Sequence, residues 1–164
     1  MKKIVLTIAF AIIGVVGVKA QTGFEGTVHV GIPVGDASSV SSFNLGVDVA
    51  YLYPVASNFK LGAKAGYDHF IGKSNVKDFG FVPVAATAKY SLGSNNIFIG
   101  ADLGYAISTT KGIDGGLFYQ PKLGYSAATW DLYAGFKGIS VSNNLPGVRN
   151  FNANAVSVGF TYKF

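Results

Sequence analysis

The chain has 164 residues, of which 13 are basic and 8 acidic, and it contains 22 glycines, 13 phenylalanines, 9 tyrosines and no cysteine. Without cysteine there are no disulfides and no thiolate chemistry. The formal charge of +5 overstates the basicity, because Lys2, Lys3 and Lys19 stand in a segment of the kind removed on export. The remaining basic residues do not cluster, which excludes a nucleic-acid footprint.

Lys2 and Lys3 form a basic start, residues 4–18 an apolar run, and Val18-Lys19-Ala20 offers small residues to a signal peptidase. Residues 1–20 therefore read as a cleaved signal peptide, with Gln21 opening the mature chain. The run is shorter than the roughly 20 residues a helix needs to cross a bilayer, which argues against a single anchor. The lack of cysteine at the cleavage point excludes lipid attachment there. Residues 21–164 make one domain.

After Gln21 no long apolar run occurs, yet the mean hydropathy is +0.37. The hydrophobicity arrives as alternation, which suits membrane strands rather than membrane helices. Eight period-2 segments follow one another. Residues 22–34 face Phe24, Val28, Val30, Ile32 and Val34 one way, and residues 42–53 face Phe43, Leu45, Val47, Val49, Tyr51 and Tyr53. Residues 58–72 show Phe59, Leu61, Ala63, Ala65, Tyr67 and Ile71, and residues 80–92 show Val82, Val84, Ala86, Ala88, Tyr90 and Leu92. Residues 96–107 show Ile97, Ile99, Ala101, Leu103, Tyr105 and Ile107. Residues 116–126 show Leu117, Tyr119, Leu123 and Tyr125, and residues 129–141 show Trp130, Leu132, Ala134 and Phe136. The last segment, 154–164, alternates without a break through Val156, Val158, Phe160, Tyr162 and Phe164. Pro33 and Pro83 stand near strand ends, but Pro121 lies inside the sixth segment, where it costs a ladder bond or marks a bulge.

The connections alternate in length. Residues 54–57, 93–95 and 127–128 are tight turns, whereas 35–41, 73–79, 108–115 and 142–150 are longer. In outer-membrane barrels short turns are periplasmic and longer loops external, which places both mature termini in the periplasm. Aromatics gather toward strand ends as interfacial belts do. Tyr51, Tyr53, Phe59, Tyr90, Tyr125, Trp130, Tyr162 and Phe164 mark one girdle, and Phe43, Tyr67, Tyr105 and Tyr119 the other.

Charge supplies an independent check on parity. Glu25, Asp48, Lys60, Lys64, Asp68, Lys89, Asp102, Lys122, Asp131, Lys137 and Lys163 fall within the segments, and every one takes the parity opposite the apolar face. Asp36, Lys73, Lys77, Asp78, Lys111, Asp114 and Arg149 fall in the longer loops. A lysine facing lipid at mid-membrane costs roughly 2–4 kcal/mol, so the apolar face must be free of charge if it meets hydrocarbon. A soluble lipocalin-like barrel requires the inverse parity. The expected fold is all-β: an eight-stranded antiparallel up-and-down transmembrane barrel.

On this pattern, and on the terminal Gly159-Phe160-Thr161-Tyr162-Lys163-Phe164, the chain resembles the small bacterial outer-membrane barrels. That class includes OmpA transmembrane domains, OmpX and the opacity-like porins. The resemblance implies residence in the outer membrane of a Gram-negative-type bacterium. It also implies that Phe160, Tyr162 and Phe164 act as a C-terminal insertion signal for the barrel-assembly machinery. The implied surroundings are outer-membrane lipid and lipopolysaccharide, with the protein a monomer.

A barrel of eight strands is wide enough only for side chains to fill it. The charges listed above, with His29, then form an interior network in which ions must pair. Hairpin registers predict neighbours at Asp48–Lys64 and Asp102–Lys122, at Glu25–Lys163 across closure, and His29 beside Asp48. A narrow proton or ion path is one use of such a set. A filled polar interior that satisfies itself is the reading adopted, which argues against diffusive porin activity.

Catalysis requires a base and a nucleophile placed together. His69 with Ser74, and Asp36 with Ser38 and Ser39, are the candidates for a lipid A-modifying enzyme. Neither matches a motif of such enzymes, and Asp-Ala-Ser-Ser is ordinary turn chemistry. No catalytic residue, cofactor or metal site is assigned, since two histidines and no cysteine make no metal cluster. OmpW-like passage of small hydrophobic molecules is a further alternative, with Pro121 as its pointer. Loops of seven to nine residues project too little for a broad adhesion platform. The sequence stops at the barrel, so no peptidoglycan-binding domain is expected. The function expected is a structural or interaction role at the cell envelope.

Overall fold

The alternating segments close into one barrel. The computed structural model describes residues 23–73, 76–93, 95–141 and 151–164. The signal segment, Ser74 and the 142–150 loop with Arg149 lie outside them. The strands are β1 (Phe24–Val34), β2 (Ser41–Ala56), β3 (Phe59–Gly72), β4 (Phe79–Ser91), β5 (Ile97–Ser108), β6 (Gly116–Ser126) and β7 (Trp130–Val141). The last strand, β8, comes in two pieces, Phe151–Asn152 and Asn154–Lys163, which keep one register against β7 on either side of Ala153. Each strand pairs antiparallel with the next, and β8 returns to β1 with Glu25 opposite Lys163 and Val34 opposite Asn154. Closure pairs both edges of each strand along most of its length, and among the described residues a stub is left with an open edge.

That stub is the end of β2. The strand runs to Ala56, through the residues 54–57 predicted as a turn, and the reversal is made by Ser57 and Asn58 alone. Leu52 donates its N–H to Gly23 O (2.8 Å) at the start of β1. By the period of two, the N–H of residue 54 would face the same, now open, edge. Residue 54 is proline, so that edge has no donor there to recruit another strand.

The other strand prolines follow the same rule. Pro33 keeps its pairing with Ala155 of β8, and the β1–β2 ladder ends two residues earlier at Gly31–Asn44. Pro83 pairs with Ala106 of β5, while the β3–β4 ladder is missing between Ala65–Val84 and Asp68–Phe81. Pro121 pairs with Ala101 of β5, while the β6–β7 ladder is missing between Tyr119–Gly138 and Lys122–Gly135. The register is unchanged across both gaps, so no residue is inserted. Pro121 costs ladder bonding and makes no bulge, because its ring removes the one donor that would face β7.

Three tight turns and the two described strand ends, at Phe24 and Lys163, lie at one end of the barrel, hereafter the turn end. The longer connections lie at the loop end. The segment expected as a plain loop after β1 folds into a short helix, α1 (Asp36–Val40), entered through Gly35 at φ 63°. Ala37 of this helix is fully buried, Asn152 N donates to Asp36 Oδ2 (3.2 Å), and Lys73 Nζ donates to Ser38 O (2.7 Å). Phe79, expected in a loop, is instead a buried residue at the start of β4.

The outer wall is apolar. Ile32, Leu103, Val28, Leu123, Val84 and Val158 all stand exposed, Ile32 at 66%. At the turn end the aromatic rings touch in series. Phe24 meets Tyr51 at 5.0 Å, Tyr125 meets Trp130 at 5.8 Å, Trp130 meets Phe160 at 6.1 Å and Tyr162 meets Phe164 at 5.1 Å between centroids.

The lumen corrects the expectation of a wholly polar filling. Its loop end is a phenylalanine plug in which Phe70 and Phe79 stack at 5.0 Å and Phe81 stands edge-on to both at 6.1 Å. Phe118 and Ile139, both fully buried, join them, and Val40, Ile113 and Phe151 pack over the cluster. These residues share parity with the lumen charges. The large rings are buried at the mouth of the barrel, where they leave water for one another.

Candidate functional site

The charges of β1 to β8 meet in the middle of the lumen, beneath the plug. Asp48 and Lys64, neighbours on β2 and β3, meet at 3.0 Å, and Lys64 reaches across to Asp102 of β5 at 3.0 Å. Lys122 of β6 binds both oxygens of Asp102, at 2.9 and 3.0 Å, and Thr87 Oγ1 donates to Asp102 Oδ1 at 2.6 Å. On the loop-end side Lys137 of β7 pairs with Asp68 of β3. His29 lies between the two sets, with Nε2 2.9 Å from Asp68 Oδ1 and Nδ1 3.3 Å from Asp48 Oδ2. Asn44 Nδ2 donates to Asp68 Oδ1 at 3.2 Å, and Gln120 Nε2 to Ser157 Oγ at 3.3 Å.

Glycine makes the crowding possible. Gly46 and Gly66 stand under His29 and Asp48: a Cβ on Gly46 would lie 2.4 Å from His29 Nε2, and one on Gly66 2.0 Å from Asp48 Oδ1. Large lumen groups therefore alternate with bare backbone on the neighbouring strand. This is the close approach that only glycine permits.

A second group fills the turn end. Lys89 pairs with Asp131, which also binds Lys163 at 2.9 Å. Glu25 lies opposite Lys163 in the β1–β8 register, but the Lys163 ammonium turns to Asp131, Ser126 Oγ and Ala127 O. Glu25 and Lys163 are neighbours across closure, as expected, without an ion pair between them. Asp131 receives Lys89 on Oδ2 and Lys163 on Oδ1, and its neighbours Ser126 and Ala127 supply further acceptors to Lys163. Lys60 shares the lumen parity and stands opposite Lys89 across β3–β4, with no ion pair among the described residues. A cavity of about 30 Å³ opens here, lined by Glu25, Thr27, Lys89, Asp131, Tyr133 and Thr161 among others. It has room for roughly two waters.

Asp48, Asp68 and Asp102 are matched by Lys64, Lys122 and Lys137, so the mid-lumen set is neutral with His29 uncharged. Each ammonium is held by at least one carboxylate, and the plug separates the set from the loop end. Such an arrangement holds charge in place. Hairpin registers reveal contacts between neighbouring strands only. Thr87 stands opposite Asp102 in the β4–β5 register, whereas the pairs that cross between non-adjacent strands (Lys137–Asp68, Lys64–Asp102, Lys89–Asp131 and Gln120–Ser157) are not readable that way. Their shared parity with the charges is the signal that marks them.

Of the candidate catalytic groups, His69 stands on the outer wall near the loop end, its side chain 30% exposed. Its Nε2 is 3.3 Å from Asp78 Oδ2 and its Nδ1 3.3 Å from the Tyr67 hydroxyl. Asp78 Oδ1 accepts the N–H of Gly72 at 2.9 Å, which holds this loop carboxyl below the usual carboxylate range. The hydroxyls of Ser38 and Ser39 turn back to the carbonyls of Gly35 and Asp36, at 2.7 Å each, as helix-entry residues do. Among the described residues no three His, Cys, Asp or Glu side chains are arranged to hold a metal ion.

No family model and no curated protein matches this sequence. Solved structures do match the barrel. The outer membrane enzyme PagL superposes with a TM-score of 0.69 at 15% identity, over 85% of this chain and 99% of that one. The fold is that of a small outer-membrane barrel. Neisserial surface protein A matches with a TM-score of 0.56 at 19% identity, over 87% of this chain and 98% of that one. The N-terminal barrel domain of Pseudomonas aeruginosa OprF matches at 0.52 and 12% identity, over 87% and 98%. An enzyme and a surface protein thus share one architecture, and function has to be argued from the residues.

Proposed function

We propose that this chain is an integral outer-membrane protein, with its turn end periplasmic, its loop end external, and a non-catalytic structural or interaction role at the envelope. The observation that carries this reading is the division of charge. Each of the eleven acids and lysines within the strands has lumen parity, and the exposed wall is built of Val, Leu, Ile and aromatic rings. In water, such a wall would far exceed the few hundred Å² of contiguous apolar surface that monomers tolerate. In a bilayer it is the required surface. Its surroundings are then membrane lipid and lipopolysaccharide, and Phe160, Tyr162 and Phe164 serve recognition by the barrel-assembly machinery.

The plugged, ion-paired lumen supports a non-conducting barrel. Behind Pro121, Gln120 and Lys137 are fully buried, which disfavours a lateral route for hydrophobic solutes through the β6–β7 seam. Reconstitution into planar bilayers tests the proposal. A heat-modifiable barrel without single-channel steps and without lipid A hydrolysis is the expected result. Stable conductance, or deacylation lost in His69→Ala, would overturn it.

A further inference from the structure

Among the described residues, His69 is the one basic or acidic side chain that the strands present on the outer wall at the loop end, beside the tyrosines of the girdle. Its cross-strand partner is Gly80, with which it is in register across β3 and β4. Gly80, itself buried, carries no side chain, and two hydroxyl groups converge over it. A Cβ placed there would lie 2.6 Å from the Tyr67 hydroxyl and 2.9 Å from Thr109 Oγ1. The backbone fixes this arrangement from both sides: Thr109 N donates to Gly80 O at 2.9 Å, and Gly80 N donates to Thr110 Oγ1 at 3.2 Å. Beside it stand the His69 imidazole and the Asp78 carboxylate, the latter side chain 52% exposed. The carboxylate is oriented by the Gly72 N–H and keeps acceptor capacity toward the outside.

We infer that Tyr67, His69, Asp78 and Thr109 form a binding site for the sugar headgroup of a glycolipid in the leaflet that the loop end faces. The inference rests on the membrane reading proposed above. Its chemistry is that of carbohydrate recognition. A carboxylate, an imidazole and two hydroxyls supply paired donors and acceptors suited to vicinal sugar hydroxyls, and the Tyr67 ring supplies an apolar face. A phosphate is a poor fit. The Asp78 carboxylate would repel it, and among the described residues no lysine or arginine hydrogen-bonds to the cluster. The height is also right. Tyr67 belongs to the loop-end girdle, and interfacial aromatics sit at the level where headgroups begin.

The chain has only two histidines, so ring NMR signals of His29 and His69 read the test directly. Histidine-labelled protein in phosphocholine micelles would be titrated with a phosphate-free glucosamine-disaccharide glycolipid. The same lipid carrying its phosphates, and an anionic phospholipid without sugar, form the other arms. His69 signals should shift saturably with both sugar lipids and stay fixed with the phospholipid, while His29, inside the lumen, does not move. Asp78→Ala and Thr109→Ala, both outside the ladder, should weaken the response by about tenfold or more, the loss of a hydrogen bond to a charged or oriented group. A stationary His69, a response that requires phosphate, or variants that bind as the parent does would overturn the inference. Failure to form a heat-modifiable barrel in micelles would instead overturn the membrane reading and the inference with it.

Discussion

Replacing Lys137 by methionine tests how the lumen is held together. Lys137 is fully buried on β7 and pairs across the barrel with Asp68, itself fully buried on β3. Methionine preserves most of the volume and removes the charge. Asp68 would then keep only the Asn44 amide at 3.2 Å and His29 at 2.9 Å, with Oδ2 already unpartnered. Stranding a buried carboxylate in this way costs about 3–5 kcal/mol. Removing both charges, in Asp68→Leu with Lys137→Met, should recover most of the loss, because two well-packed apolar groups often match a buried ion pair. Equilibrium urea unfolding in lipid vesicles, followed by heat-modifiable mobility and tryptophan fluorescence, measures both variants against the parent. A single-variant loss below about 1 kcal/mol, in the range of exposed pairs, would refute the argument that this network is buried and held by its ion pairs.

The wall, the glycines, the prolines and the rim give further expectations. Val158→Arg, on the outer face of β8 and 50% exposed, should cost about 2–4 kcal/mol in the same unfolding assay if it faces the bilayer midplane. Gly46→Ala places a methyl 2.4 Å from His29 Nε2 and 2.5 Å from the Tyr67 carbonyl oxygen; destabilisation of about 1–3 kcal/mol is expected, as for overpacking. Pro121→Ala restores a donor toward β7, so its new amide should be strongly protected in hydrogen exchange, with stability unchanged or raised by about 1 kcal/mol. Asp78 has its carboxyl lowered by the Gly72 N–H, so its contribution is complete above the unfolded carboxylate range and is lost as pH falls through the folded value. Carboxyl NMR should find Asp78 still ionised where ordinary aspartates have protonated, and Gly72 amide exchange should rise only below that point.

What could be read from sequence was what parity controls. Since side chains alternate, placing Val156, Val158 and Phe160 on one face obliges Ser157 and Thr161 to take the other, and the same step assigns every strand charge to the lumen. Adjacent-strand contacts such as Asp48–Lys64 follow from hairpin register. Contacts through the lumen do not, because they depend on barrel diameter and side-chain reach: Lys163 lies beside Glu25 by register and yet bonds Asp131. The phenylalanine plug was also open to view, as Phe70 shares parity with Asp68 and Phe81 with Lys89. Apolar residues taken only as markers of the outer face conceal it. The β2 extension through Pro54 eluded a rule that reads proline as a turn, since here the missing donor falls on an open edge.

The account stands or falls on hydrocarbon lying outside the wall. The chain has no cysteine, so single cysteines can be introduced in turn at Val156, Ser157, Val158, Gly159 and Phe160 of β8 and spin-labelled in lipid vesicles. Collisional relaxation by oxygen, which concentrates in the bilayer core, should be high at Val156, Val158 and Phe160 and low at Ser157 and Gly159. The opposite alternation, or high accessibility to a water-soluble nickel complex at Val156, Val158 and Phe160, would contradict the account.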